Sequence, residues 1–448
     1  MKRFRELIWR ARAKAQNDRR FAANRIIARA WRFGQCANAG LLKGAGRRLD
    51  RAGVKRRLAE AAIVPFSVTE ILHRPSRLVA YRKLPKYSGS KELKRSKIGL
   101  HAMKKATFSW LAGAMIVLTA TNADACTRIL YETAAKTYIA GRTMDWMEDP
   151  GSDLWAFPRG MAREGLAGAG AAKWTSKHGS VISAFYNIGT ADGINDAGLV
   201  ANALYLTETD YGDTEKSAKP HLSIGAWAQY ALDNFSTVAE AVEALEKEPF
   251  VIIAPNFPNG SKAGAHLALS DESGDNAVFE YIDGKLVIHH DPKYNVMTNS
   301  PIFSQQLALN TYWQDVGGLK FLPGTYRSSD RFARMSWNLN AAPKVTDPAL
   351  ATATTFSLIR ALSVPLGLAD PNAPNIAMTI WRTVADTKAR RYYFESAFSP
   401  SIFWVDLDKL NLEAGAKPMK LDLSKKPIYS GEVSAKFAPA EPFKFLSH

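Results

Sequence analysis

Downstream of residue 125, apolar residues recur at two spacings. Short alternating or continuous apolar runs between turn residues predict strands, and three-to-four-residue repeats predict helices. CTRILYE (126–132) and KTYIAGRTMDW (136–146) flank an Ala-Ala-Lys turn and read as a hairpin. SVISAFYNIGT (180–190) and GLVANALYLTE (198–208) read as two further strands, joined through Asn195, Asp196, Ala197 and Gly198. Helical spacing follows over HLSIGAWAQYALDNF (221–235). Ser236 is then placed to cap a second helix, STVAEAVEALEKE, with Glu240 and Glu243 in its early turns. AHLALSD (265–271) and NAVFEYIDGKLVIHH (276–290) read as antiparallel strands around an Asp-Glu-Ser-Gly-Asp turn. Helices are expected at SQQLALNTYWQDV, SSDRFARMSWNLN and ATTFSLIRALS, and closing strands at TIWRTVAD, KARRYYFES and SIFWVDLD. Hairpins and grouped helices, without strict strand–helix alternation, predict an α+β fold.

One apolar run is of a different kind. Residues 103–125 read MKKATFSWLAGAMIVLTATNADA: two lysines after a Met, an apolar core over 108–118, then Ala123-Asp124-Ala125. This is the layout of a cleaved export signal. The core is well short of the roughly 20 residues that cross a bilayer, so no stable membrane span is expected. Three regions result: a basic extension at 1–102, a signal peptide at 103–125, and a domain from 126 to 448. The export signal implies a periplasmic or secreted protein. For 1–102 two readings stay open: Met103 is the true translation start, or the extension is real and forms a cationic amphipathic helix.

Charge follows the same division. The whole chain carries a net charge of +17. Residues 1–102 hold 27 basic and 6 acidic side chains, whereas residues 126–448 hold 30 basic and 35 acidic. The large domain therefore lacks the electrostatic footprint of a nucleic-acid binder. The chain has two cysteines, Cys36 and Cys126, on opposite sides of the expected cleavage point, so no disulfide framework is readable. No Cys/His cluster has zinc spacing, and adjacent His289 and His290 on a strand point apart. Neither a metal nor a cofactor is implied.

Cleavage after Ala125 would make Cys126 the first residue. A thiol of ordinary pKa about 8.5 would then share a residue with an α-amine of pKa about 7.7–8.0. The amine can take the thiol proton and return it to a leaving group, so a terminal Cys carries its own base. This is the logic of N-terminal nucleophile hydrolases. Other readings of Cys126 are an incidental small residue, a lipid-bearing cysteine, and a Cys paired with a distant His. Ala123 and Asp124 match the lipoprotein pattern poorly.

Four blocks carry a family resemblance. CTRILYETAAKTYIAGRTMDW resembles the start of mature choloylglycine hydrolases and penicillin V acylases, with Arg142 and Asp145 in an R-x-x-D pattern. NDAGLVANALYL resembles the family's segment at the oxyanion site, with Tyr205 at its key position. VMTNSP resembles the T-N-x-P motif and offers Asn299. LPGTYRSSDRFAR resembles the P-G-x-x-x-S-x-x-R-F segment and offers Arg331. The tail beyond Arg334 carries no matching motif. Tyr at 205, where bile-salt-cleaving members typically have Asn, and the short segment between Asn299 and Arg331 are similar to the Gram-negative branch.

The resemblance implies a four-layer αββα sandwich of the N-terminal nucleophile type and hydrolysis of a linear amide C–N bond through a thioester on Cys126. It implies that Arg142 lowers the thiol pKa, Asp145 orients the α-amine, and Asn299 and the Tyr205 N–H hold the oxyanion, with Arg331 in support. The partner would be a small-molecule amide: penicillin V, a conjugated bile salt or an N-acyl homoserine lactone. A homotetramer is also implied, although the short 299–331 segment speaks against it. The alternative is a non-catalytic exported or lipid-anchored binding protein on the same fold. Trp146, Met147, Trp155 and Phe157 lie near the nucleophile in sequence and are candidates for an acyl pocket or for core. One difficulty is geometric: residues three apart on a straight strand face opposite sides, so Arg142 and Asp145 would both face Cys126 only if the strand bends near Met144.

Overall fold

In a computed structural model of the chain, the described residues are 126–165, 170–214, 216–317, 321–368 and 377–447. The extension, the leader and Cys36 lie outside them. The chain begins with β1 (Thr127–Glu132), β2 (Tyr138–Trp146) and β3 (Leu154–Phe157). The short β4 (Ala162–Glu164) and β5 (Lys173–Thr175) precede β6 (Ser180–Phe185), β7 (Gly189–Asn195), β8 (Val200–Tyr205) and β9 (His221–Ser223). Helices α1 (Ile224–Asn234) and α2 (Val238–Leu245) follow. Next come β10 (Val251–Ile253), β11 (Ala265–Ser270), β12 (Asn276–Ile282), β13 (Lys285–His290) and β14 (Val296–Met297). Three helices, α3 (Phe303–Val316), α4 (Ser328–Ala341) and α5 (Pro348–Arg360), lead to β15 (Met378–Asp386), β16 (Arg391–Ser396) and β17 (Ile402–Asp406). Short strands β18 (Met419–Leu421), β19 (Gly431–Glu432) and β20 (Ala438–Pro439) finish the chain.

Two large sheets result. One has the order β14-β1-β2-β15-β16-β17-β19, the other β13-β12-β11-β8-β7-β6-β3-β18-β20. Helices α4 and α5 pack on the first sheet, and α1 and α2 on the second. This is the αββα sandwich, and it explains why the central strands bury both faces. Along β3, Leu154 and Ala156 enter the core between the sheets, while Trp155 and Phe157 enter the core under α1. Helix α5 presses on β2 at Gly141, where an added Cβ would lie 2.8 Å from Thr355. Helix α1 presses on β7 where Gly225 meets Gly189, with 2.9 Å between a Cβ built at Gly189 and the Gly225 Cα.

Two local expectations are corrected. The run 180–190 is not one strand. Tyr186 and Asn187 take left-handed conformations, φ 53° and 52°, and turn the chain between β6 and β7. The cap of α2 is Thr237, whose side chain accepts from the Glu240 N–H. The Ser236 hydroxyl is instead engaged by His178.

Candidate active site

The site forms where both sheets depart from regular pairing. Strand β7 pairs with β6 through a bulge: Asp192 faces Ser183, Thr190 faces Ala184, and Ala191 is the extra residue. A bulge leaves its extra residue outside the ladder. The Ala191 carbonyl accordingly accepts a hydrogen bond from Arg142 Nη1. On its other side, β7 pairs with β8 only over Asp192–Ile194 against Val200–Asn202. Beyond that point the strands part. A cavity of about 70 Å³ opens between Gly189, Thr190 and Ala191 on one side and Ala203, Leu204 and Tyr205 on the other, with Cys126 and Arg142 from the first sheet at its wall.

Cys126 is 3% exposed and stands at the head of β1. The β1–β2 register, Thr127 opposite Thr143, sets it across from Met144. Its Sγ lies 3.9 Å from Met144 Sδ, accepts from the Asp145 N–H at 3.4 Å and approaches the Asp145 carbonyl at 3.5 Å. Burial pushes the thiol above its ordinary pKa, against the pull of the Arg142 charge. The lowering expected from Arg142 is present but does not win, and a buried thiol of this kind needs a base.

Arg142 is buried. It lies 3.7 Å from the Asp192 carboxylate and 5.2 Å above the Trp381 ring. Asp192 in turn accepts from Asn202 and Tyr392, and Asn202 accepts from Arg128 Nε at 3.2 Å. Arg128 also reaches Asn276 Oδ1 at 2.8 Å. Two buried cations and one buried anion thus stitch the sheets together behind the thiol. Nothing in the sequence marked Arg128 or Asp192, because their pairing depends on how the sheets stack.

Asp145 occupies the opposite face of β2 from Arg142, and no bend was needed to reconcile them. The strand runs unbroken to Trp146, and the irregularity lies across from it, between Thr379 and Trp381 of β15. Its Oδ2 accepts from Thr143 Oγ1 at 3.0 Å, while Oδ1 is buried without a hydrogen-bond partner. Burial raises the carboxyl to about 6, against the pull of Arg331 and of the Thr379 and Thr143 hydroxyls.

Arg331, on α4, is buried rather than on the helix surface. Its Nη1 donates to the Cys126 carbonyl and to Thr127 Oγ1, both at 2.6 Å, and its Nη2 donates to Asn299 Oδ1 at 3.0 Å. Asn299 Nδ2 donates to the Tyr205 carbonyl at 2.8 Å. Cys126, Tyr205, Asn299 and Arg331, far apart in sequence, are therefore one hydrogen-bonded cluster.

The chain has counterparts among known proteins. Residues 126–426 match the linear amide C–N hydrolases of the choloylglycine hydrolase family. The penicillin V acylase of Pectobacterium atrosepticum is 47% identical over 365 residues, covering 76% of this chain and 97% of that protein.

The chain belongs to the choloylglycine hydrolase family.

It is a hydrolase acting on linear amides. The structure of penicillin V acylase from Agrobacterium tumefaciens superposes with a TM-score of 0.68 at 52% identity, covering 72% of this chain and 100% of that one. A conjugated bile acid hydrolase from Clostridium perfringens shares the fold, with a TM-score of 0.57 at 20% identity, covering 69% of this chain and 98% of that one. Among the described residues no helix is long and apolar enough to cross a membrane.

Of the four candidate pocket residues, the structure brings one to the cavity. Trp146 lines it, with Phe185, Tyr205 and Phe257 at 5.3, 5.5 and 5.9 Å between ring centroids. Trp155 and Phe157 do not line it. They point through the other face of the second sheet, stack at 5.8 Å and pack against Phe443. Met147, at the end of β2, is 44% exposed, and its sulfur accepts from Asn259 Nδ2 at 3.6 Å. Sequence reasoning missed Phe185, Phe257 and Leu446. Leu446 reaches the cavity because the chain's tail is pinned there: its N–H donates to the Ile188 carbonyl, and its carbonyl accepts from Ser223 Oγ at 2.6 Å.

Proposed function

We propose that the protein is an exported cysteine amidase whose nucleophile, Cys126, becomes the chain's first residue when the leader is cut after Ala125. The observation that carries this reading is the unpartnered Oδ1 of Asp145. A buried acceptor without a donor is costly. A cut after Ala125 would give Cys126 an ammonium or amine able to supply the donor that this oxygen lacks.

The chemistry then follows from the cluster. The α-amine of Cys126, oriented by Asp145, takes the thiol proton, and Sγ attacks the amide carbon. The carbonyl electron pair moves to oxygen, where the Asn299 side-chain N–H and the Tyr205 main-chain N–H stabilise it. Removing one such donor typically costs on the order of 10²–10³ in rate. The C–N bond breaks as the leaving nitrogen takes the proton back, which leaves a thioester. Water adds to the thioester, the amine again takes a proton, and sulfur leaves with the proton returned to it. Arg142 supplies positive charge beside the sulfur. Arg331 holds the Cys126 carbonyl, and so the direction of its side chain.

The cavity beside Cys126 is lined by Trp146, Phe185, Phe257, Ile224 and Leu446. Such a lining favours an apolar or aromatic acyl group. With the likeness to penicillin V acylases, this supports phenoxyacetyl amides as the leading substrate class, ahead of N-acyl homoserine lactones and conjugated bile salts. The test joins N-terminal sequencing of the exported protein to a panel of these amides. Cys126 is expected at the first position, Cys126→Ala is expected to abolish hydrolysis, and Cys126→Ser to lose at least about 10²-fold. Full activity in Cys126→Ala, or an active form with residues ahead of Cys126, would refute the reading.

A further inference from the structure

Behind Asn299 lies a buried His–Glu hydrogen-bonded pair that the chemistry above does not use. His266 on β11 and Glu280 on β12 are 0% and 1% exposed at the side chain. His266 Nδ1 is 3.0 Å from Glu280 Oε1, and its Nε2 is 2.7 Å from the Thr298 carbonyl. That carbonyl belongs to the peptide joining Thr298 to Asn299. The N–H of the same peptide donates to Ser328 Oγ at 2.7 Å. Both sides of this one peptide plane are therefore held, one by an imidazole and one by a hydroxyl.

Glu280 also reaches the far end of the same loop. Its two oxygens accept from the Phe303 N–H at 3.0 and 3.1 Å, at the start of α3. The segment 298–303 is thus gripped at both ends by one carboxylate, directly at Phe303 and through His266 at Thr298. Both neighbours of the His266 ring are acceptors: a carbonyl oxygen, and a carboxylate that stays ionised. Burial raises Glu280, but the hydrogen bonds from His266 and His289 outweigh it and hold the carboxyl at about 2. His289 Nε2 lies 3.5 Å from the other Glu280 oxygen.

We propose that His266 is a positioning residue for acyl transfer: backed by Glu280, it fixes the Thr298–Asn299 peptide and so aims the Asn299 amide at the developing oxyanion. This rests on the reading of Asn299 as an oxyanion donor. A donor aimed at the transition state contributes little to binding of the ground state. Loosening its peptide should therefore appear in kcat and leave KM nearly untouched. A side chain that only fills the core would show no such division.

Two near-isosteres separate the two hydrogen bonds. In His266→Asn the amide nitrogen can replace Nδ1 toward Glu280 but cannot reach Thr298. In His266→Gln the amide nitrogen can replace Nε2 and keep the Thr298 carbonyl. With a phenoxyacetyl amide as probe, His266→Asn is expected to lose on the order of 10²-fold in kcat, the scale of an ångström-level misplacement, with KM within about twofold. His266→Gln is expected to recover most of that loss. In an Asn299→Ala background, His266→Asn should cost nothing further, because the group it aims is gone. If His266→Asn does not fold, Ser328→Ala releases the other side of the same peptide and should give the same kcat-only loss. Equal losses in the Asn and Gln variants, a loss confined to KM, or an undiminished loss in the Asn299→Ala background would overturn the proposal. Full kcat in Asn299→Ala alone would instead remove the oxyanion assignment on which it rests.

Discussion

Replacing Asp145 by Asn tests the processing chemistry through stability alone. With the peptide bond ahead of Cys126 intact, the Asp145 carboxyl titrates at about 6 instead of 3.8. Below pH 3.8 it is neutral in folded and unfolded chains alike. As pH rises toward 6, the unfolded chain ionises first, so stability falls across that window and stays lowered above it. At about 1.4 kcal/mol per pH unit, the loss amounts to about 3 kcal/mol. Asn at 145 mimics the neutral form and escapes the loss. A chain that retains Ala125 should therefore be about 3 kcal/mol more stable at pH 7.5 as Asp145→Asn than as wild type, with the two converging toward pH 4. A chain that starts at Cys126 presents an α-ammonium to the orphaned oxygen, and there the gain should shrink to near zero or reverse. The assay is urea unfolding of four proteins, with and without Ala125 and with Asp or Asn at 145, at both pH values. An equal gain in both chain forms would refute the claim that the amine of Cys126 is the missing partner of Asp145.

Two further outcomes follow from the same geometry. Trp146→Ala should lower kcat/KM for a phenoxyacetyl amide at least about tenfold with a modest loss of stability, whereas Trp155→Ala should cost about 3–5 kcal/mol in urea unfolding and leave kcat/KM within about twofold. Arg142→Gln should slow iodoacetamide labelling of Cys126 at pH 8, because the charge that opposes burial of the thiolate is gone, and Arg142→Lys should restore part of the rate.

The amino-acid sequence carries the candidate nucleophile and the residues clustered with it because each lies in a short motif, and it carries most helices and hairpins because each is fixed by local periodicity. It carries much less about faces. In a four-layer sandwich both faces of the central strands are buried, so the alternation that tells core from pocket is erased. Trp146 and Trp155 then look alike, and only the stacking of the sheets sends one to Cys126 and the other beneath α1. The turn at Tyr186 and Asn187 was illegible for a related reason. Neither residue is a glycine, yet both take positive φ, and Asn187 is a lone turn-former inside an apolar run. The bulge at Ala191, which supplies a carbonyl to Arg142, depends on β7 and so was hidden with it.

The apparent conflict between Arg142 and Asp145 shows what local rules omit. Three positions apart on an unbroken strand, they do face opposite ways. A residue inside a neighbouring strand would meet only one of them. A residue at the head of that strand is different: its side chain lies on one face, while its amine would be held on the other. Cys126 meets Met144 through its sulfur, which also feels the Arg142 charge. The R-x-x-D spacing thus suits the proposed chain-ending nucleophile, with the Arg142 charge and the Asp145 carboxylate on opposite sides of one sheet. Moving the acid to position 144 would put both groups on the sulfur side and leave the amine without a partner. The spacing therefore supports a terminal nucleophile independently of the leader that precedes it.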